Sequence, residues 1–183
     1  MHDRCMNYPA RFCLALLLLA GTSSQPCRAE LSEIQVESAY ILNFIKFAEW
    51  PTAYVKSGDR ITLCVMGNAD LQETLSTVNG RKVGAYELQI RPQEGNSEAL
   101  SSCHVLYIDQ QDERRFIPTL KSLAGKPVLT ISDIPNFAER GGNIGLIYRE
   151  NKVQFEINLA SIRIAGLRLS SQMLNLAANI FGK

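Results

Sequence analysis

The sequence predicts an α/β protein: one domain, a mainly parallel central sheet, a C-terminal antiparallel hairpin, and flanking helices. Three observations carry this. Short apolar runs closed by turn residues alternate with helical patterns through the middle of the chain, as parallel strands joined by crossover helices do. A tightly joined pair of alternating segments, "NIGLIYRENKVQFEIN" at 143–158, follows them and reads as a hairpin. Behind an expected leader, 154 of the 183 residues remain, enough for one domain with a core and too few for two.

The leader is residues 1–29. Arg4 and Arg11 give it a basic start, residues 12–20 are an apolar run too short to span a bilayer, and "CRA" at 27–29 places small residues around a cut after Ala29. The expectation is a cleaved signal peptide and an exported domain over 30–183. Ser24, Gln25 and Pro26 are wrong for a lipobox at Cys27. Removing the leader leaves 16 basic and 17 acidic residues, which argues against nucleic acid or an anionic membrane surface as partner. Of five cysteines, Cys64 and Cys103 stay. An even pair in an exported chain reads as a disulfide. It is not a CxxC, and no His or Lys adjoins Cys64 to activate it, so the pair reads as structural.

In order, "LSEIQVESAYILNFIKFAEWP" spaces Ile34, Tyr40, Ile41, Phe44 and Phe47 for a helix capped by Ser32 and stopped by Pro51. Trp50 at its end is a core or boundary residue, with a ligand pocket as the other reading. "RITLCVMG" is a buried strand, "NADLQETLSTV" a helix, "NGRKVG" a turn and "YELQIRP" an edge-tolerant strand. "QEGNSEALSS" reads as loop, "CHVLYID" as strand, and "DERRFIPTLKSLAG" as a helix kinked or split by Pro118. "PVLTISD" is a third apolar strand. "IPNFAERGG" is a loop, and beyond the hairpin lies an apolar helical region.

No catalytic chemistry assembles from these pieces. His104 is the one histidine of the mature chain and opens a strand; it lacks both a GxSxG serine and enough neighbours for a metal. "GGNIG" precedes a strand, whereas a phosphate loop opens a helix. "VMGNAD" precedes a helix but has one glycine and no lysine. Asp109, Asp112 and Glu113 read as helix N-terminal charge. The expectation is a non-enzymatic binding protein with no catalytic residue, metal or cofactor.

Taken together, "AYILNFIKFAEWP", "ITLCVMG", "CHVLYID", "PVLTISD", "GGNIGLI" and "VQFEINLASIRIAGLRLSSQMLNLA" resemble the YfiR-like family of periplasmic proteins, in order and spacing, over nearly all of the mature chain. The resemblance implies a small α/β domain in the periplasm. It implies a repressor that binds the periplasmic sensor domain of an inner-membrane diguanylate cyclase, lowering cyclic di-GMP and biofilm formation. A sensor kinase is the other partner it implies, and a homodimer stays open. Some relatives carry a second cysteine pair where this chain has Ala138 and Gly145. In "KVQFEIN", Val153, Phe155 and Ile157 are expected to face the core, and Lys152, Gln154, Glu156 and Asn158 to face out. The segment after Asn158 has surplus apolar residues, so Ile162 and Ile164 are not both expected inside. Glu156, Ile162 and Arg168 are the candidate partner-binding residues. The competing function is a small-molecule sensing or solute-binding module built around Trp50. A hydrolase is a third, disfavoured by the lone His104.

Overall fold

Ser32 starts the first helix. Its hydroxyl accepts from the Gln35 N–H while the Gln35 side chain accepts from the Ser32 N–H, a reciprocal capping box. Helix α1 runs Glu33–Phe47, and Ala48 turns extended before Pro51 is reached. The computed structural model describes residues 32–92, 100–149 and 152–183. The expected leader and its cut lie outside them, as does most of the "QEGNSEALSS" loop.

After α1 come β1 (Ala48–Glu49), β2 (Arg60–Met66), α2 (Ala69–Ser76), β3 (Lys82–Val83), β4 (Tyr86–Pro92) and β5 (Val105–Ile108). A 3-10 turn at Gln110–Asp112 leads into α3 (Glu113–Ser122), then β6 (Leu129–Ser132), β7 (Ile144–Arg149) and β8 (Lys152–Asn158). The chain ends with α4 (Leu159–Ile164), β9 (Arg168–Leu169), α5 (Ser171–Leu176) and β10 (Asn179–Phe181). Eight strands form one sheet in the order β10-β8-β7-β6-β5-β2-β4-β3, and β1 pairs with β9 separately. From β4 through β7 the pairing is parallel; β7–β8 and β3–β4 are antiparallel, and β10 joins β8 in parallel. This is the α/β sheet with a C-terminal hairpin that the sequence predicts.

Strand alternation sorts the core into two layers. Ile61, Leu63 and Val65 of β2, with Val105 and Tyr107 of β5, face α1 and α2. Cys64, Met66, Leu106 and Ile108 face the other way and pack with Phe116 of α3 and Phe137. Strands buried on both faces are why these runs read as continuously apolar rather than alternating.

Three expectations change. "NGRKVG" is a turn that contains the two-residue strand β3, which shields the edge of β4. Pro118 sits inside α3 without splitting it. The C-terminal helical region is two short helices and two short strands. Asn158 and Ser170 each cap a new helix, through Ser161 N and Met173 N, and Gly166 at φ +69 turns the chain between them.

The "GGN" turn is a packing device. A Cβ on Gly142 would lie 2.1 Å from the Phe137 ring, and the Gly142 N–H donates to the Phe137 carbonyl at 2.9 Å. Asn143 is buried and holds Thr130 from both sides: its Oδ1 accepts from Thr130 N at 2.8 Å and its N–H donates to Thr130 Oγ1 at 3.0 Å. Its Nδ2 donates to Ser161 Oγ at 2.8 Å, tying the turn to α4. Gly142→Ala is expected to destabilise the fold by about 1–3 kcal/mol, because the methyl must displace a buried aromatic ring. A urea-melt midpoint equal to that of the wild type would count against this role.

Candidate functional site

The sequence-marked residues do not converge on one place. Cys64 on β2 and Cys103 just before β5 are bonded, with Cα atoms 5.9 Å apart, and both are fully buried in the second layer. His104 Nδ1 accepts from Thr62 N at 3.0 Å, and the His104 backbone N–H donates to Thr62 O at 2.9 Å. Burial, with Arg91 nearby, holds its pKa below the usual histidine range. It is a strand-end residue stitched into the sheet. Trp50 is 5 % exposed; its indole N–H donates to Pro127 O at 3.1 Å and its ring stands edge-on to Tyr86. It lies at the wall of a surface cleft of about 460 Å³ with Glu49, Pro51, Thr52, Gly166 and Arg168, its polar atom already engaged.

The partner-binding candidates divide. Arg168 is exposed and pairs loosely with Glu49 at 3.4 Å across β1–β9. Glu156 corrects the expectation that it faces out, since it is 6 % exposed. Strand β10 extends the sheet beside β8 and sets Asn179 opposite Glu156, whose Oε1 accepts from Asn179 Nδ2 at 2.7 Å. The Phe137–Ala138 segment crosses the same face at Gly145, the partner of Glu156 on β7. The C-terminal strand was not legible in the alternation of "KVQFEIN". Ile162 likewise lies inside at 2 % exposure, while Ile164 is 68 % exposed. One of the two is buried, as the surplus of apolar residues suggests, and it is the one chosen for the surface. A Cβ on Gly145 would stand 3.7 Å from that of Ala138, a spacing that a disulfide could span, at the two positions where the sequence resemblance implies a second cysteine pair in some relatives.

The carboxyl ends of the parallel strands carry the polar residues. From β2 the chain moves outward to β4 and returns to β5 on the other side of β2, with α2 on one face and α3 on the other. Such a switch point is where doubly wound sheets hold ligands. Here it is filled. Asn68 Nδ2 donates to Asp109 Oδ2 at 2.8 Å, closing the gap, and a Cβ on Gly67 would already meet Asp112 Oδ2 at 3.0 Å. Asp109 Oδ1 caps the following turn at Gln111 N, and Asp112 and Glu113 pair with Arg115 and Arg140. These acids serve the helix start. Among the described residues no three His, Cys, Asp or Glu side chains converge as metal ligands, and no helix is long and apolar enough to cross a membrane.

Next to the switch point lies a group that the sequence reasoning missed. Glu37 of α1 is 4 % exposed and accepts a hydrogen bond from the hydroxyl of Tyr107, itself fully buried on β5. Burial pushes the Glu37 carboxyl up to about 7; the Tyr107 hydrogen bond opposes this, while Asp133, Asp109 and Glu33 add to it. Asp133, just past β6, is also raised, by burial and then by Asp109, and its Oδ1 has no hydrogen-bond partner among the described residues. Tyr107 and Tyr148 have pKa values above the usual tyrosine range, through burial and then the Glu37 charge. The signal was present: Ile34, Glu37, Ile41 and Phe44 fall on one helical stripe, and the acid interrupts an apolar face.

A family model described as YfiR/HmsC-like matches residues 34–178. Among solved structures, a conserved domain protein from Vibrio cholerae O1 biovar eltor str. N16961 aligns with a TM-score of 0.49 at 12% identity, over 82% of this chain. The chain spans 61% of that protein's chain. The family match runs from the first turn of α1 to the residue before β10, and the chain therefore belongs to the YfiR/HmsC-like family of periplasmic regulatory proteins.

Proposed function

We propose that this chain is a non-enzymatic periplasmic regulator of cyclic di-GMP signalling, which binds the periplasmic sensor domain of an inner-membrane diguanylate cyclase and represses it. Family membership over 34–178 carries the reading. The disposition of polar groups supports it: His104, Asn68 and Asn143 are spent on internal hydrogen bonds. Apolar and charged side chains meanwhile stand out near the C-terminus, with Ile164 at 68 % and Leu176 at 74 % exposure and Arg168 beside β1. In this reading Ile164 and Arg168 touch the partner, and Glu156 and Ile162 hold the scaffold beneath them. Deleting the gene is expected to raise cellular cyclic di-GMP, and restoring the exported chain to lower it. The purified mature chain is expected to bind the periplasmic sensor domain of an inner-membrane diguanylate cyclase from the same cell. Unchanged cyclic di-GMP together with no binding would sink the proposal.

A further inference from the structure

The Glu37 cluster sits where a helix meets a sheet. Glu37 comes from α1 and Tyr107 from the middle of the sheet, and their hydrogen bond joins residues 70 positions apart. The remaining titratable neighbours are Asp109 past β5, Asp133 past β6, Tyr148 on β7 and Glu33 one turn earlier in α1. Strand β8, packed on α1 through Phe155, carries the exposed Lys152, and β7 carries the exposed Arg149; neither is among the groups that shift Glu37. Helix α2 brings the exposed Asp70 and Glu73, α5 has no titratable side chain, and Lys82 of β3 lies by the far end of α1, where Gly84 abuts Lys46. Among the described residues, then, the groups that shift the buried carboxyl are a phenol and acids, with no base among them.

A carboxyl so placed has two states with different consequences. Protonated, it is a neutral group hydrogen-bonded to a tyrosine inside a packed interface. Ionised, it is a buried anion facing Asp133, whose Oδ1 is itself unpartnered, and Asp109. Helix α1 also leads directly into β1, which pairs with Arg168 and Leu169 of β9, and the Ser170 N–H donates to Phe47 O at 3.0 Å. Any loosening of α1 is thus carried to the exposed Glu49–Arg168 surface.

We propose that Glu37, Tyr107 and Asp133 form a pH-responsive latch: with the Glu37 carboxyl protonated α1 is pinned to the sheet, and its ionisation loosens α1 and the β1–β9 pair attached to it. In the unfolded chain Glu37 loses its proton near the ordinary value of 4.5, and in the fold near 7. Between these values the folded state holds the extra proton. The stability it contributes is therefore full below 4.5, falls as pH rises, and is gone above about 7. The latch stands on this cluster alone and does not depend on the identity of the partner.

The test uses the mature chain with carboxyl-labelled glutamate and amide hydrogen exchange, at pH 5.5 and 8.0. The Glu37 signal, assigned by its loss in Glu37→Gln, is expected to titrate near 7. Protection of α1 relative to β5, corrected for intrinsic exchange, is expected to fall at least tenfold between the two pH values in the wild type and to stay level in Glu37→Gln. A Glu37 that titrates with the surface glutamates, or an α1 equally protected at both pH values, overturns the latch. Tyr107→Phe keeps the ring and supplies the second variant. Because the Tyr107 hydrogen bond favours the ionised form, its loss should move the loosening to higher pH; an unmoved midpoint is also a refutation.

Discussion

Replacing Cys64 and Cys103 together with alanine is expected to lower the unfolding free energy by about 4 kcal/mol. The bond ties β2 to the residue two before β5, its parallel neighbour, across a sequence separation of 39. On the chain-entropy account, a loop of that length costs the unfolded state about 4 kcal/mol of conformational freedom when it is closed. Part of the effect arises in the folded state: both sulfurs are fully buried beside Leu106 and Phe116, and their removal leaves space in a packed layer. Strands β2 and β5 stay in register through Leu63↔Val105 and Cys64↔Leu106 without the bond, so the variant is expected to fold, with a lowered urea midpoint and a larger m-value from a more expanded unfolded chain. The same burial makes the native bond resistant to reductant until the domain opens. Alkylation of protein from the periplasm, unfolded in denaturant without reductant, is expected to label neither cysteine. Two labelled thiols, or a midpoint equal to the wild type's, would show that the bond is not part of the working state.

The pattern of what the sequence revealed follows from how far each signal reaches along the chain. Helix α1, with its Ser32 cap, and the strands β2, β5 and β6 were legible because caps, proline stops and apolar runs are local and here point to one answer. The disulfide was legible because only Cys64 and Cys103 lie beyond the expected leader, which leaves one pairing. The reading failed where a residue's surroundings are set by a segment distant in sequence. Glu156 looked outward by alternation, yet β10, more than twenty residues later, puts Asn179 against it. Glu37 looked like one more polar position on a helix; only the sheet brings Tyr107 and Asp133 to it. The apolar tail misled for another reason. Asn158, Gly166 and Ser170 divide it into pieces of about six residues, too short for helical periodicity to sort inside from outside.

Ile162→Asp is expected to unfold the protein, whereas Ile164→Asp leaves it folded and unable to repress. The two residues are two positions apart on α4, which places them on different sides of a helix, and their exposures are 2 % and 68 %. Aspartate at 162 forfeits the burial of an isoleucine, about 2–5 kcal/mol, and adds the cost of a carboxylate among Ile157, Leu167 and their neighbours in the first layer. A domain of this size has roughly 5–15 kcal/mol in total, so little or no folded protein is expected at 37 °C. Aspartate at 164 touches solvent on both counts and is expected to change stability by about 0.5 kcal/mol or less. If the surface around Ile164 and Arg168 meets the partner, a charge set into an apolar contact costs several times that in binding. Thermal melting, sensor-domain binding and cellular cyclic di-GMP, measured on both variants, separate the two effects. Arg168→Glu gives a third point, since its loose pair with Glu49 is exposed and contributes little to the fold. An Ile162→Asp protein that melts like the wild type would contradict the burial of that residue. Ile164→Asp and Arg168→Glu proteins that melt normally and still bind and repress would move the partner surface away from the C-terminal elements altogether.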